Sequence, residues 1–96
     1  MMHIGILGLD FHLAGCRSLK EKRSRLQRLR DRLGRSTSIA VCESDYQDVL
    51  HRARWSVVAV ASSQRVVERS LGDVERWARE RMDATLVDVE RDIFAA

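Results

Sequence analysis

Residues 3–34 read HIGILGLDFHLAGCRSLKEKRSRLQRLRDRLG, and two periodicities meet inside them. Over residues 3–13, Leu7, Leu9, Phe11 and Leu13 alternate with Ile4, Ile6, Gly8, Asp10 and His12. A period of two is that of a strand with one face on a core. "AGCR" then reads as a turn. Ser18 is followed three residues later by Glu21, the spacing of a capping box, in which side chains satisfy amide groups left open at a helix start. From there the period is 3.6, and Leu19, Leu26, Leu29 and Leu33 fall within an arc of about 80°. Gly34 closes this helix after about four turns.

The rest of the chain repeats the scheme. Residues 36–45 (STSIAVCESD) read as a second strand, and 46–52 (YQDVLHR) as a connection with room for one helical turn. Residues 53–62 (ARWSVVAVAS) form a third strand, rich in β-formers. Ser62 or Ser63 caps a second helix through about Met82, with Val66, Val67, Leu71, Val74, Trp77, Ala78 and Met82 on one broad arc. Residues 84–94 form a fourth strand, with Val87, Val89 and Ile93 on one face and Asp88, Glu90 and Asp92 on the other. The order is βαββαβ. Right-handed crossovers then predict one α+β domain over residues 1–96, a ferredoxin-like sandwich with a four-stranded antiparallel sheet and two helices on one face.

Composition bounds the partners. The chain has 96 residues, 45% of them hydrophobic, and two cysteines, Cys16 and Cys42, without CxxC spacing. A disulfide framework or zinc knuckle is not expected from such a pair. No apolar run is long enough to span a bilayer as a helix, and the N-terminal residues lack the pattern of a signal peptide, so the expected location is cytoplasmic. Net charge is +3, spread unevenly: residues 17–35 hold nine basic and two acidic residues, leaving the remainder at −4. The basic residues are 15 Arg against 2 Lys, a bias that fits either a GC-rich genome or recognition of carboxylates and phosphates by guanidinium forks.

"SLKEKR" after an N-terminal strand, "ESDYQD" leading into "HRARWSVVAVAS", and a terminal "LVDVER" together resemble the YlxP-like bacterial proteins, a family of unknown function numbered 503. The resemblance runs from about His3 to Phe94. In that family the middle motif more often reads Glu, an apolar residue, Asp, His, Gln, Asp; here Ser44 and Tyr46 stand at the apolar and His positions. The resemblance implies a ferredoxin-like fold, and gene neighbourhoods among transcription, translation-initiation and ribosome-maturation genes imply a link to RNA or ribosomes. It implies no catalytic activity.

The basic helix is the first candidate surface. Lys20, Arg23, Arg28, Arg30 and Arg35 lie off the leucine stripe, where they would contact phosphates of RNA or ribosomal particles with release of counterions. A solvated helix face is the alternative. Lys22 is anomalous, because it falls inside the leucine arc. A lysine there must reach solvent or meet a carboxylate, and Glu43, Asp45 and Glu90 are the candidate acids for a structural ion pair.

The outer sheet face offers Arg54 and Trp55 on the third strand but no aromatic platform of the kind that stacks RNA bases. If Ile4, Ile6, Val58 and Val60 share that face, it is apolar enough to bury in a homodimer. Asp10 with His12, the series Asp45, Asp48 and His51, and Cys16 before a helix start carry the residue types of metal or reactive sites, and surface and turn roles explain them as well. There is no P-loop, dinucleotide fingerprint or Ser/His/Asp signature. The expectation is a non-enzymatic RNA- or ribosome-associated protein with no cofactor and no metal, and the alternative is a homo-oligomeric interaction module that does not touch nucleic acid.

Overall fold

The computed structural model describes residues 1–96. The elements are β1 (His3–His12), α1 (Leu19–Leu33), β2 (Ile39–Asp45), β3 (Arg52–Ala61), α2 (Gln64–Arg81) and β4 (Thr85–Ala95). The four strands form one sheet in the order β2-β3-β1-β4, and every neighbouring pair is antiparallel. Each βαβ half is thus split by a strand of the other half. This is the ferredoxin-like sandwich that the element order predicts.

Local chemistry sets the helix ends. The Ser18 hydroxyl accepts a hydrogen bond from the Glu21 amide at 3.0 Å, so half of the capping box forms. Glu21 does not reach back to the cap; its carboxylate lies 3.6 Å from Arg25 one turn on. Gly34 ends α1 in a right-handed conformation, its N–H donating to the Arg30 carbonyl at 2.8 Å. Ser63 caps α2 through its extended backbone alone, without a side-chain hydrogen bond.

One core lies between sheet and helices. Leu7, Leu9, Phe11 and Leu13 of the first strand and its exit meet Ala53, Trp55, Val57 and Ala59 of β3. Above them sit Leu26, Leu29 and Leu33 of α1 and Val67, Leu71, Val74 and Ala78 of α2. Two expected core positions fall elsewhere. Val66 is at the edge of the α2 arc and is exposed. In β4 the register shifts opposite Asp10 and Phe11, so Leu86 pairs with Phe11 and packs on the core, while Val87 is 59% exposed. A bulge of one residue changes which side chains face inward, and strand periodicity does not reveal it.

The two helices are seated differently. α2 packs across β1, β3 and β4, whereas α1 covers β2. The close approach of α2 requires Gly5: a Cβ there would lie 2.5 Å from Val67 Cγ1 and 2.7 Å from Leu71 Cδ1, both fully buried side chains. Gly5→Ala should therefore overpack the core and cost about 1–3 kcal/mol in urea unfolding. Gly72, on α2 with nothing within 4 Å of its missing Cβ, is the control. Gly72→Ala should stabilise by about 0.5–1 kcal/mol through helix propensity.

Candidate nucleic-acid interface

The basic residues of α1 divide into those the fold uses and those it leaves free. Lys22 points inward and is 2% exposed. Its ammonium donates to the carbonyls of Tyr46 at 2.6 Å and Gln47 at 3.4 Å, and lies 3.2 Å from Glu43 Oε2. Those carbonyls converge because the chain turns sharply after β2, with Tyr46 at φ +63° and its amide donating to Asp45 Oδ1 at 2.8 Å. Of the three candidate acids for Lys22, only Glu43 is in place. Asp45 bonds within its own turn. Glu90 is on the opposite face of the sheet, 3.3 Å from Arg54, because its register position across from Gly8 points it away from the helices.

Arg25 is likewise structural. It donates to the carbonyls of Asp83 and Ala14, each at 2.8 Å, and ion-pairs with Glu21 and Asp83, so it clamps the loops after β1 and α2. Arg28 reaches the Arg81 carbonyl at 3.4 Å. By contrast Lys20, Arg23, Arg28, Arg30, Arg32 and Arg35 are exposed and have no carboxylate within ion-pair distance. On α2 the pattern differs, with Arg76 paired to Asp73 at 3.3 Å and Arg79 to Glu75 at 3.2 Å. At 100° per residue, Arg30, Arg23, Lys20 and Arg28 follow one another across about 160° of the outer surface of α1, with Asp31 between Lys20 and Arg28, and Arg35 lies in the turn just past the helix end.

Between α1 and the β2–β3 side of the sheet lies a cleft of about 360 Å³, lined in part by Lys22, Arg23, Arg30, Glu43, Asp48 and Trp55. Trp55 does not share a face with Arg54. It is 4% exposed on the helix side of β3, with the Arg30 guanidinium 5.4 Å above its ring and its Nε1 without a hydrogen-bond partner. The signal was present in the sequence, since the alternation that puts Val58 and Val60 outward puts Trp55 inward. Glu43 Oε2 is buried with the Lys22 ammonium as its polar partner.

The open sheet face has two halves. At one end Arg54 donates to Asp10 Oδ2 at 2.8 Å and lies 3.3 Å from Glu90, its guanidinium resting over Gly8. At the other end Ile4 pairs with Val60 and Phe94, and Ile6 pairs with Val58. No group of three or more His, Cys, Asp or Glu residues is arranged to hold a metal ion. Cys16 is buried, with its thiol 3.4 Å from the Ser18 carbonyl. No helix is long and apolar enough to cross a membrane.

The Lys22 cluster has a direct test. Lys22→Met keeps the length of the side chain but leaves two carbonyls and a carboxylate without their cation. The expected loss is about 2–4 kcal/mol in urea unfolding, below that of a fully buried pair because 23% of the Glu43 side chain stays exposed. Glu43→Gln, which leaves both carbonyl bonds of Lys22 intact, should cost about 1 kcal/mol.

Comparisons with known proteins agree with this architecture. Among solved structures, the de novo designed protein Foldit4 superposes with a TM-score of 0.60 at 12% identity, covering 100% of this chain and 99% of that one. The de novo designed protein Ferredog-Diesel superposes with a TM-score of 0.53 at 18% identity, covering 93% of this chain and 83% of that one. At such identities the likeness concerns the fold alone. The uncharacterized protein YlxP of Bacillus subtilis (strain 168) is 37% identical over 54 residues, which are 56% of this chain and 59% of that protein. The profile described as "Protein of unknown function (DUF503)" matches residues 4–91, and the chain belongs to that family.

Proposed function

We propose that the protein is a small, non-enzymatic RNA-binding factor that works on RNA or ribosomal particles through the outer surface of α1. The observation that carries this reading is the row of cations without carboxylate partners, Lys20, Arg23, Arg28, Arg30 and Arg32 on α1 and Arg35 just beyond it, while Lys22 and Arg25 anchor the helix to the sheet and loops. A solvated face usually mixes both signs of charge, as α2 does. Here the cations outnumber the one exposed carboxylate among them, Asp31, and their carrier is held from behind, so they are presented at fixed spacing along one ridge. Such a surface tracks phosphates and neutralises them with release of counterions, so affinity falls steeply with salt and depends weakly on sequence.

A second reading rests on a separate observation. Ile4, Ile6, Val58, Val60 and Phe94 form an apolar patch on the sheet face that neither helix covers, and Ile6, Val60 and Phe94 are exposed. A symmetric dimer would bury it. In sedimentation velocity a dimer that Ile6→Glu or Val58→Glu converts to monomer would support this reading. A monomer at all concentrations would remove it.

The main reading is tested with a labelled mixed-sequence RNA oligonucleotide. Arg23→Glu with Arg30→Glu should weaken binding across sequences and make the slope of log K against log salt shallower by about two. Arg76→Glu on α2 should leave both unchanged. Binding that is indifferent to the α1 pair, or absent altogether, would overturn the proposal. In a lysate, co-sedimentation with ribosomal particles at low salt and its loss at high salt are expected.

A further inference from the structure

We infer that the cleft beside α1 is a nucleotide pocket, which takes one unpaired nucleotide with its base inward and its phosphate on Arg23 and Arg30. The inference rests on the RNA-binding reading for its natural ligand, but its evidence is separate. A volume of about 360 Å³ lies within the range of small-molecule sites.

The groups at its floor are incomplete. Trp55 Nε1 is a buried donor with no acceptor, an arrangement that costs free energy unless a ligand completes it. Glu43 is paired with Lys22 through Oε2 at 3.2 Å, which leaves its other carboxylate oxygen, on a side chain 23% exposed beside the cleft, without a partner. At the mouth are two guanidinium groups without carboxylate partners, and Arg30 rests on the indole ring.

The ligand these features describe is flat, carries N–H donors and an acceptor on one edge, and bears an anion. A free carboxylic acid or inorganic phosphate would satisfy the arginines and leave Trp55 Nε1 and Glu43 as they are. A fatty chain would satisfy none of the polar groups. A nucleotide meets all of them, with an acceptor on the base edge taking the in-plane Trp55 N–H, base N–H groups on the free Glu43 oxygen, and the phosphate on the arginines. Because Glu43 and Asp48 only accept, the base must present N–H groups, and guanine presents two side by side. The base edge must be free, so the nucleotide is single-stranded or monomeric. Arg30 lifts off the indole to admit it and moves to the phosphate. The pocket opens directly onto the Arg23–Arg30 end of the phosphate ridge, so one strand could follow the helix and insert one base.

The test uses the intact chain. It has two tryptophans, Trp55 and Trp77, so its indole N–H signals in an NMR spectrum give one reporter in the cleft and one control outside it. The probes are GMP, UMP, inorganic phosphate, and single-stranded RNA oligonucleotides that either contain one guanine or consist of uridine alone.

A shift of the Trp55 indole with GMP and the guanine-containing strand, and an affinity at least about tenfold above the uridine-only strand, is the expected result. Glu43→Gln should erase that preference while its salt-dependent affinity for the uridine strand persists. Response to GMP without binding of either RNA would identify a free nucleotide as the ligand, supporting the pocket and overturning the RNA reading. RNA binding with no guanine preference and a silent Trp55 would overturn the pocket and leave the RNA reading standing. A full response to inorganic phosphate would also overturn the pocket. Silence with every probe would overturn both.

Discussion

A single buried ammonium ties the first helix to the sheet. Lys22 occupies a position that the leucine stripe of α1 would otherwise fill, and it meets two carbonyls and a carboxylate from the end of β2 and the turn after it. Removing a charge from water is costly unless hydrogen bonds replace the lost hydration, so this contact is directional where the leucine packing is not. It selects one rotation of α1 over the sheet. That rotation places Arg23 and Arg30 along the cleft, sends Arg25 towards the loops it clamps, and leaves the remaining cations facing outward.

The two halves of the molecule are built for different work. The half around α2 is closely packed, with Gly5 admitting the helix onto β1 and ion pairs running along the helix surface and to Arg91 of β4. The half around α1 is less closely seated, and the space it leaves borders the Trp55 indole N–H, which has no partner. Dense packing leaves no room for a ligand. The looser half therefore carries the cleft and the free cations, and the tighter half supplies the scaffold.

Much of this was legible in residues taken a few at a time. Ser18 and Glu21 mark the start of α1, and alternation in residues 3–13 marks the inward face of β1; both are local signals between neighbours in the chain. The anomaly at Lys22 was also visible, since one cation inside a leucine arc stands out by helical geometry alone. Its partner was not, because Glu43 is 21 residues away in the chain and Asp45 and Glu90 are chemically equivalent until the strand register is known. The exposure of Val87 was hidden for a related reason. A bulge arises from the pairing of β4 with β1 and has no signature in the alternation of β4 by itself.

The sequence by itself determined the element order, the helix caps, the inward stripes and the concentration of positive charge on α1. These follow from backbone periodicity and from interactions within a turn or two of the chain. Only the tertiary structure decided which carboxylate meets Lys22, which arginines stay unpaired, and that Trp55 lies under α1 with its indole N–H unsatisfied. Those outcomes depend on how a helix rests on strands distant in sequence. Whether a charge or a donor ends up satisfied is a property of everything that surrounds it in space.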